Sequence, residues 1–349
     1  MSYIILFLIL QRRSLLVNPL RVAVIGVGRL GQEHARVYAG LPDVTLAGVF
    51  DTDRGRAQEV AGRHGAVVFS DLDALYRAVE AVSVVVPTTS HFDVGRQALD
   101  RGMHTFIEKP ITTTLQEADA LIDLARTRRV TLQVGHIERF NPAVRALDGL
   151  ALSPGFIESH RLSPFDPRGT DVSVVHDLMI HDIDLIRHLV RSDVVQVDAA
   201  GVAVVSDQID IANARLRFHN GCVANVTASR ISLKKMRKMR LFQRDAYLAL
   251  DFLAGQAEVY RLADGASIDP HLARPGTVAL PYTIPTPDGR TRQVLCERPA
   301  VPPAEPLALE LAAFVRAARE ACPPPVTGED GREALRISLE IVEKIQQGL

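Results

Sequence analysis

Three ionisable side chains stand at helical spacing near the middle of the chain. Asp177, His181 and Asp184 lie four and then three residues apart, so a helix over about 174–189 would place them on one face. A neutral imidazole takes up a proton near pH 7, and a carboxylate one turn away orients it and stabilises the imidazolium. The cluster therefore predicts acid–base catalysis by His181 and Asp177. The alternatives are a solvated helix face with a His–Asp pair, or a metal site for which the spacing supplies no third ligand.

Lys109 is one of only five lysines among the 40 basic residues of this 349-residue chain. It stands in Glu108-Lys109-Pro110, directly after the strand predicted at 104–107, and proline stiffens the backbone beside it. An ammonium group at a strand end can hold a substrate hydroxyl, or act as a base beside a positively charged cofactor ring. We therefore expect Lys109 to be catalytic. An ion pair with Glu108 or a solvated strand end is the alternative.

A glycine-rich turn follows the first apolar run, at 20–25. Gly26, Gly28 and Gly31 fit the GxGxxG pattern between a strand and a helix. The first glycine allows a tight turn, the second lets a pyrophosphate approach the backbone, and the third lets the helix pack on the strand. The helix N-terminus then offers N–H groups to the phosphates. The turn predicts a dinucleotide site, against the alternative of a glycine turn without a ligand.

An acidic residue follows the second apolar run, at 44–50. Asp51 lies twenty residues after Gly31, where a carboxylate bonds the ribose hydroxyls of the cofactor. A carboxylate there disfavours a 2′-phosphate, so we expect NAD rather than NADP. Arg54 and Arg56 leave that choice open.

The elements that would position these residues alternate between strand and helix up to about residue 135. Strands are predicted at about 66–69, 82–86, 104–107 and 130–134, with helices between them. This order predicts a Rossmann-type, doubly wound parallel sheet. Ligands bind at the carboxyl ends of its strands. The residues expected to bind the cofactor are Gly26, Gly28, Arg29, Leu30, Gly31, Asp51, Pro87, Thr88, His91, Glu108 and Lys109.

The second half of the chain has a different pattern. Consecutive strands are predicted at about 198–205, 209–218, 222–229, 237–244 and 246–252, with a hairpin signal at Asn220-Gly221. They predict an α+β domain with a largely antiparallel, open sheet. Helices are predicted at 306–320 and 329–347. We therefore expect a Rossmann domain over 19–139 and a second, α+β domain over 140–349.

Composition bounds the remaining possibilities. The net charge of −1 gives no basic field for nucleic acid. The three cysteines fit no CxxC site and no disulfide framework, which favours a reducing cytoplasm. The apolar run at 3–10 is too short for a membrane span of about 20 residues. Residues 1–18 are therefore expected to be a tail or an over-called start, with a weak membrane-binding or partner-binding peptide as the alternative.

Together these motifs resemble the Gfo/Idh/MocA family of NAD(P)-dependent oxidoreductases, from about residue 20 to the C-terminus. The turn at 26–31 resembles the family's dinucleotide turn, Glu108-Lys109-Pro110 its EKP motif, and Asp177 with His181 its DxxxH motif. The resemblance implies hydride transfer from a substrate CH–OH group to a nicotinamide cofactor. It also implies a homodimer or homotetramer formed through the open face of the second sheet.

A finer resemblance implies the substrate. The segments 134–142, 161–165, 177–184, 210–215 and 227–231 are similar to members of the family that oxidise the 3-hydroxyl of UDP-N-acetylglucosamine. This similarity implies a UDP-sugar substrate and a partner aminotransferase in amino-sugar synthesis for lipid A. A dehydrogenase of another sugar or of a polyol such as inositol, a non-redox elimination with bound NAD, and a non-enzymatic NAD-binding regulatory protein are the alternatives.

Arginines in the second half suit an anionic nucleotide sugar, because guanidinium groups bind diphosphates in a forked geometry. Each could equally form a surface salt bridge. Asn141 could bond sugar hydroxyls or cap the turn before Pro142. The basic run at 234–240 is interpreted as an edge strand guarded by charge, slightly ahead of phosphate binding. The residues expected to bind substrate are Arg139, Asn141, Arg161, Arg168 and Asp184, and Arg230 is a further candidate.

Overall fold

The structure is a computed structural model that describes residues 18–166, 172–244, 246–264, 278–287 and 289–348. Arg168 and the first 17 residues of the expected tail lie outside the described residues. No helix of the described ranges is long and apolar enough to cross a membrane.

The first sheet has six parallel strands. They are β1 (Leu20–Ile25), β2 (Val44–Phe50), β3 (Val67–Val68), β4 (Ala81–Val84), β5 (His104–Glu108) and β6 (Leu132–Gly135). The helices between them are α1 (Arg29–Gly40), α2 (Arg54–His64), α3 (Leu72–Ala78), α4 (His91–Asp100) and α5 (Leu115–Arg128). The strand order β3-β2-β1-β4-β5-β6 reverses direction between β1 and β4. This confirms the doubly wound sheet, and it places the glycine turn and the turn after β4 at the crevice where such sheets bind ligands.

Local sequence explains where these elements begin. The strands β1 and β4 are apolar and almost fully buried, as strands covered by helices on both faces must be. The side chain of Asp71 accepts the Ala74 N–H at the start of α3. Thr114 and Glu117 form a reciprocal capping box at the start of α5.

The second sheet has nine strands. They are β7 (Phe156–Leu162), β8 (Val194–Val202), β9 (Ile211–Phe218), β10 (Val223–Ser229), β11 (Met236–Phe242), β12 (Tyr247–Asp251), β13 (Gln256–Asp264), β14 (Val278–Pro285) and β15 (Thr291–Glu297). Their order is β14-β15-β13-β12-β11-β7-β10-β9-β8. Every neighbouring pair is antiparallel except β7 and β10, which are parallel. The largely antiparallel second sheet is therefore confirmed.

Helices cover one face of this sheet. A short helix α6 (Pro142–Arg145) and a longer helix α7 (Ile180–Val190) precede most of the strands, and a π-helical segment (Val175–Met179) leads into α7. Two more helices follow the strands, α8 (Pro306–Glu320) and α9 (Gly328–Gln347), and of these α9 packs on this sheet. Residues of α7 and α9, including Ile183 and Ile341, share one apolar core with alternate residues of the strands. The opposite face of the sheet carries the partly exposed side chains of the same strands.

The chain divides into two compact units, and neither is continuous in sequence. One unit contains the residues up to Gly135 together with Leu307–Gly328, and the other contains His136–Pro306 with Glu329–Leu349. The expected second domain over 140–349 thus differs from this division at its C-terminal end. The reason is packing: Phe314 of α8 meets Phe106 of β5 edge to face, with ring centroids 5.8 Å apart. The Val134 N–H also donates to the Val326 carbonyl, which extends the edge of the first sheet.

The expected edge strand at the basic run is wrong. The strand β11 lies inside the second sheet, paired with β7 on one side and β12 on the other. The strand β7 was not predicted, because its buried face carries Ser159 and Arg161, which break the apolar alternation. The basic run therefore does not guard an edge and needs another explanation.

Candidate functional site

The glycine turn of the first unit is built to admit a ligand. Gly26 has φ of +86°, and a Cβ there would meet the Val85 carbonyl oxygen at 2.4 Å. A Cβ on Gly31 would lie 1.9 Å from the Gly26 oxygen, so α1 packs directly on the turn. In contrast, a Cβ on Gly28 would meet nothing within 4 Å. Gly28 precedes α1 without a side-chain cap, so the turn leaves space and helix N–H groups for a phosphate, with Arg29 and Leu30 exposed beside it.

Asp51 ties the glycine turn to the end of β2. Its carboxylate accepts the Val27 N–H at 2.8 Å and the Asp53 N–H at 2.8 Å. The guanidinium of Arg56 lies 3.7 Å from the Asp51 carboxylate and 3.2 Å from that of Asp53. A carboxylate has about four acceptor positions, so Asp51 keeps capacity for ribose hydroxyls. The residues present fit a dinucleotide cofactor. The carboxylate of Asp51 suits the ribose hydroxyls of NAD, and the neighbouring Arg56 suits the 2′-phosphate of NADP.

The turn after β4 contains exposed residues and leads to a buried histidine. Pro87 is exposed and Thr88 begins a short 3₁₀ turn. His91 is 1% exposed, and its ring nitrogens lie 2.7 Å from the Pro110 carbonyl and 2.9 Å from the Val86 carbonyl. Burial lowers the pKa of His91. Because both ring nitrogens face backbone oxygens, His91 positions the two turns and is not free to bind the cofactor, which corrects the expectation.

Glu108 is likewise buried, and it supports Lys109. Its carboxylate lies 3.2 Å from His34 Nε2 and accepts the Lys109 N–H at 3.3 Å. A Cβ on Gly135 would come within 2.8 Å of the same carboxylate, so β6 leaves just enough room for it. Glu108 therefore orients the backbone of Lys109 and pairs with His34 inside the first unit. Lys109 itself is half-buried, and the peptide bond to Pro110 is cis.

In the second unit, the predicted acid–base pair lies at a break in helix geometry. Asp177 is in the π-helical segment and His181 is in the first turn of α7, and both are half-buried. Such π-helical turns are rare in proteins overall, and those that occur are often found at functional sites. Asp184, by contrast, is 1% exposed. The expectation that all three side chains present one accessible face is therefore wrong for Asp184.

Asp184 is occupied by an arginine inside the second unit. The guanidinium of Arg139 donates to its two oxygens at 2.8 and 2.5 Å and also to Asp330 at 3.3 Å. Burial opposes ionisation of Asp184, but His136 and Arg139 outweigh it and lower its pKa. Because the Arg139 side chain is only 6% exposed, Arg139 and Asp184 stabilise the fold and are not substrate ligands as expected.

Arg161 is also buried between carboxylates. It donates to both oxygens of Asp182, at 2.8 and 3.0 Å, and to Glu138 at 2.8 Å. With 2% of its side chain exposed, it has no surface for a diphosphate, and the expectation of substrate binding is corrected. Its Cζ lies 5.9 Å from the Phe252 ring centroid.

Asn141 and Arg230 also serve the fold. Asn141 accepts the Ala143 N–H at the start of α6 and donates to Glu138 and to the Phe252 carbonyl. Of the two uses considered for Asn141, the cap is therefore the one in place. Arg230 is 5% exposed and pairs with Asp210 at 3.2 Å.

Several residues of this chemistry were not found from the sequence. Glu138 and Asp182 complete the buried network of Arg161, and His34 holds Glu108. Their contacts join segments far apart in sequence, so no local spacing reports them. Arg237 belongs to the basic run at 234–240. Which face of the second sheet it lies on follows from the pairing of β11 with β7 and β12, which the sequence does not indicate. Within the described ranges, no three His, Cys, Asp or Glu side chains form a group that could hold a metal ion.

Comparison with known proteins identifies the family. Residues 20–136 match the profile of the oxidoreductase family with an NAD-binding Rossmann fold, and residues 157–246 match the Gfo/Idh/MocA C-terminal domain. The chain belongs to the Gfo/Idh/MocA family of oxidoreductases.

The chain is similar to two relatives within this family. It is 44% identical to UDP-N-acetylglucosamine 3-dehydrogenase of Acidithiobacillus ferrooxidans over 70% of this chain and 78% of that protein. A crystal form of that dehydrogenase matches 94% of this chain and 98% of its own, with a TM-score of 0.83 and 39% identity. The scyllo-inositol 2-dehydrogenase (NAD(+)) of Bacillus subtilis is 30% identical over 62% of this chain and 68% of its own.

Proposed function

We propose that this oxidoreductase oxidises the 3-hydroxyl of UDP-N-acetylglucosamine to the 3-keto sugar. One observation carries the proposal: the chain is similar along nearly its whole length to a UDP-N-acetylglucosamine 3-dehydrogenase, at 39% identity and a TM-score of 0.83. The inositol dehydrogenases are less similar, at about 30% identity over shorter spans.

The proposed chemistry gives each of the two catalytic side chains, His181 and Lys109, a separate role. When bound, the nicotinamide cofactor accepts a hydride from the carbon that is oxidised. His181, oriented by Asp177, removes the hydroxyl proton, and the ammonium of Lys109 polarises the forming ketone oxygen. The alternative assignment has Lys109 as the base, with His181 holding the hydroxyl. Both assignments are supported by the half-buried positions of the two side chains and by the carboxylate of Glu108 behind Lys109.

We propose NAD as the cofactor. The support is the carboxylate of Asp51 after β2, which would repel a 2′-phosphate. Arg56 would attract one, but it is shared between two carboxylates. Kinetics with each cofactor test the choice: kcat/KM for NAD should exceed that for NADP, and a preference for NADP would contradict it.

The substrate is tested in separate incubations of the protein with NAD and one candidate each. The candidates are UDP-N-acetylglucosamine, UDP-N-acetylgalactosamine, myo-inositol and scyllo-inositol. Absorbance of NADH is followed. Hydroxylamine is added to trap the ketone as an oxime, because the oxidation is uphill. We expect NADH with UDP-N-acetylglucosamine. Turnover of an inositol instead, or no NADH with any UDP-sugar despite the trap, would overturn the proposal.

The catalytic residues are tested by Lys109→Ala and His181→Ala. Each should reduce kcat by about 10²-fold or more, the usual contribution of one positioned acid or base, while the Kd for NAD changes little. Lys344→Ala is the matched control, because Lys344 is exposed on α9. Near wild-type turnover in both variants would show that the assignment is wrong.

The biological setting follows from the substrate. We propose a cytoplasmic homodimer or homotetramer, which supplies the 3-keto sugar to an aminotransferase in amino-sugar synthesis for lipid A. The open face of the second sheet supports self-association: Phe156, Phe242, Tyr247 and Tyr260 form a row of rings with centroids 5.0 to 5.8 Å apart. Phe242 in this row is 38% exposed.

A further inference from the structure

The basic run at 234–240 divides between the two faces of the second sheet. It contains five cations, the densest positive segment of the chain. Lys238 and Arg240 lie on the open face, where they pair across strands with Asp251 at 3.4 Å and Glu158 at 3.6 Å. Since β11 is not an edge strand, these two pairs are ordinary cross-strand contacts. The other three cations need a separate account.

Arg237 lies on the helix-covered face, at the beginning of β11. In the register of the sheet it stands directly opposite the buried Arg161. Unlike Arg161, it keeps 42% of its side chain exposed. Among the described residues its guanidinium forms one ion pair, to Glu138 Oε1, and that distance is 3.6 Å. Most of its five N–H donors therefore remain available to a ligand.

The charges around Arg237 connect it to the predicted catalytic segment. Burial and the neighbouring Arg161 lower its pKa, whereas three carboxylates act in the opposite direction. They belong to Glu138, Asp182 and Asp177. The first two already bind Arg161, and the third is the partner proposed for the catalytic histidine. Arg237 is thus an accessible guanidinium within electrostatic reach of the DxxxH motif.

Two lysines extend this positive surface. Lys234 and Lys235 are exposed in the loop that leads into β11. Within the ranges that the structure describes, neither takes part in an ion pair. A forked guanidinium with two ammonium groups two and three residues before it suits a ligand with two adjacent phosphates.

We propose that Arg237, assisted by Lys234 and Lys235, binds the diphosphate of the sugar-nucleotide substrate. The inference rests on the proposed function, and it replaces the buried arginines 139 and 161 as the site of diphosphate recognition. It also gives a role to the three cations of the basic run that form no cross-strand pair on the open face.

The test compares Arg237→Gln with Arg240→Gln. The two substitutions are chemically identical and lie on the same strand, but Arg240 faces the open side and pairs with Glu158. Arg237→Gln should raise the KM for UDP-N-acetylglucosamine and the Kd for UDP, measured by calorimetry, by about tenfold, the loss of one charge-assisted hydrogen bond. The kcat should change little, and Arg237→Lys should lie between, because it keeps the charge and loses the fork. Arg240→Gln should match the wild type.

Further measurements separate the possible outcomes. An unchanged Kd for NAD in Arg237→Gln supports binding of the substrate's diphosphate. A raised Kd for NAD would overturn the inference, because Arg237 would then bind the cofactor's diphosphate. If the wild type oxidises UDP-N-acetylglucosamine and Arg237→Gln changes neither the KM for this substrate nor the Kd for UDP, the inference is refuted while the proposed function stands. If Arg237→Gln does not fold, the double variant Lys234→Gln with Lys235→Gln, in an exposed loop, should still raise the Kd for UDP severalfold, and an unchanged Kd would contradict the inference.

Discussion

At the scale of single residues, the guanidinium groups show that an arginine's chemistry does not reveal its use. Arg161 and Arg237 stand opposite each other on neighbouring strands, yet one is enclosed by carboxylates and the other is half-exposed. The sequence contains the same side chain in both places. Only the pairing of β7 with β11, and the position of α7 over them, distinguishes a structural arginine from an accessible one. The glycine turn was predictable because all its requirements lie within six residues.

The buried network of Arg161 predicts a large effect on stability. Arg161→Met should lower the free energy of unfolding by about 3–5 kcal/mol, because it leaves Asp182 and Glu138 buried without their cation. Urea unfolding followed by circular dichroism measures it. For comparison, Arg240→Met removes an exposed pair and should cost about 0–1 kcal/mol. Equal losses in the two variants would contradict the structural role assigned to Arg161.

Gly28 predicts the opposite combination, a loss of binding without a loss of stability. A Cβ at this position would meet nothing in the protein, but it would stand where a pyrophosphate approaches the backbone. Gly28→Ala should weaken NAD binding by about tenfold or more, the value of a charge-assisted hydrogen bond, with an unchanged melting temperature. Gly62→Ala, also in open space, is the control and should bind NAD normally. Wild-type affinity in Gly28→Ala would show that the cofactor does not approach this turn.

At the scale of elements, side-chain hydrogen bonds hold the turn between β8 and β9. Asp210 is fully buried and accepts the N–H groups of Val204, Val205 and Ser206, with distances of 2.8 to 3.0 Å. Burial acts to raise its pKa, but the Ser206 hydroxyl and these N–H groups outweigh it and lower the pKa to about 2. The strands predicted at about 198–205 and 209–218 indicate a turn between them, but no periodicity in the sequence indicates the hydrogen bonds that Asp210 accepts there.

The sign of this shift predicts how stability depends on pH. A carboxyl with a depressed pKa stabilises the folded state above its unfolded value of 3.8, and this contribution is lost as the pH falls towards about 2. Asp210→Asn should therefore be less stable than the wild type by about 2 kcal/mol at pH 7, with a difference that shrinks below about pH 4. Urea unfolding at several pH values measures the difference. Asp207→Asn, exposed in the same turn, should follow the wild type throughout, and a constant difference for Asp210→Asn would contradict the assignment.

At the scale of the whole molecule, the fold class was predictable and the division of the chain was not. Alternating strands and helices up to residue 135, followed by consecutive strands, indicate the two sheets because each pattern is local. The return of α8 to the first sheet depends on Phe314 meeting Phe106, two residues more than 200 positions apart. Such contacts leave no periodic signal. The Cα register that places β11 inside the second sheet is hidden for the same reason.

The aromatic row on the open face predicts the assembly. If a second copy covers this face, Tyr247→Asp should place a charge among stacked rings, where it cannot be solvated. Sedimentation velocity should then show dissociation of a wild-type oligomer to monomers. Asn213→Asp, exposed on β9 of the same face and away from the row, provides a comparison. A monomeric wild type would refute the proposed assembly.

The interrupted first unit also has a consequence for synthesis. Its sheet and five helices are complete in the chain by Gly135, but the segment Leu307–Gly328 that belongs with them is made only after all of His136–Pro306. Domains tend to fold in the order in which they leave the ribosome. The contact between Phe106 and Phe314 can therefore form only after all of His136–Pro306 has been made, although Phe106 already meets His34 within the early segment.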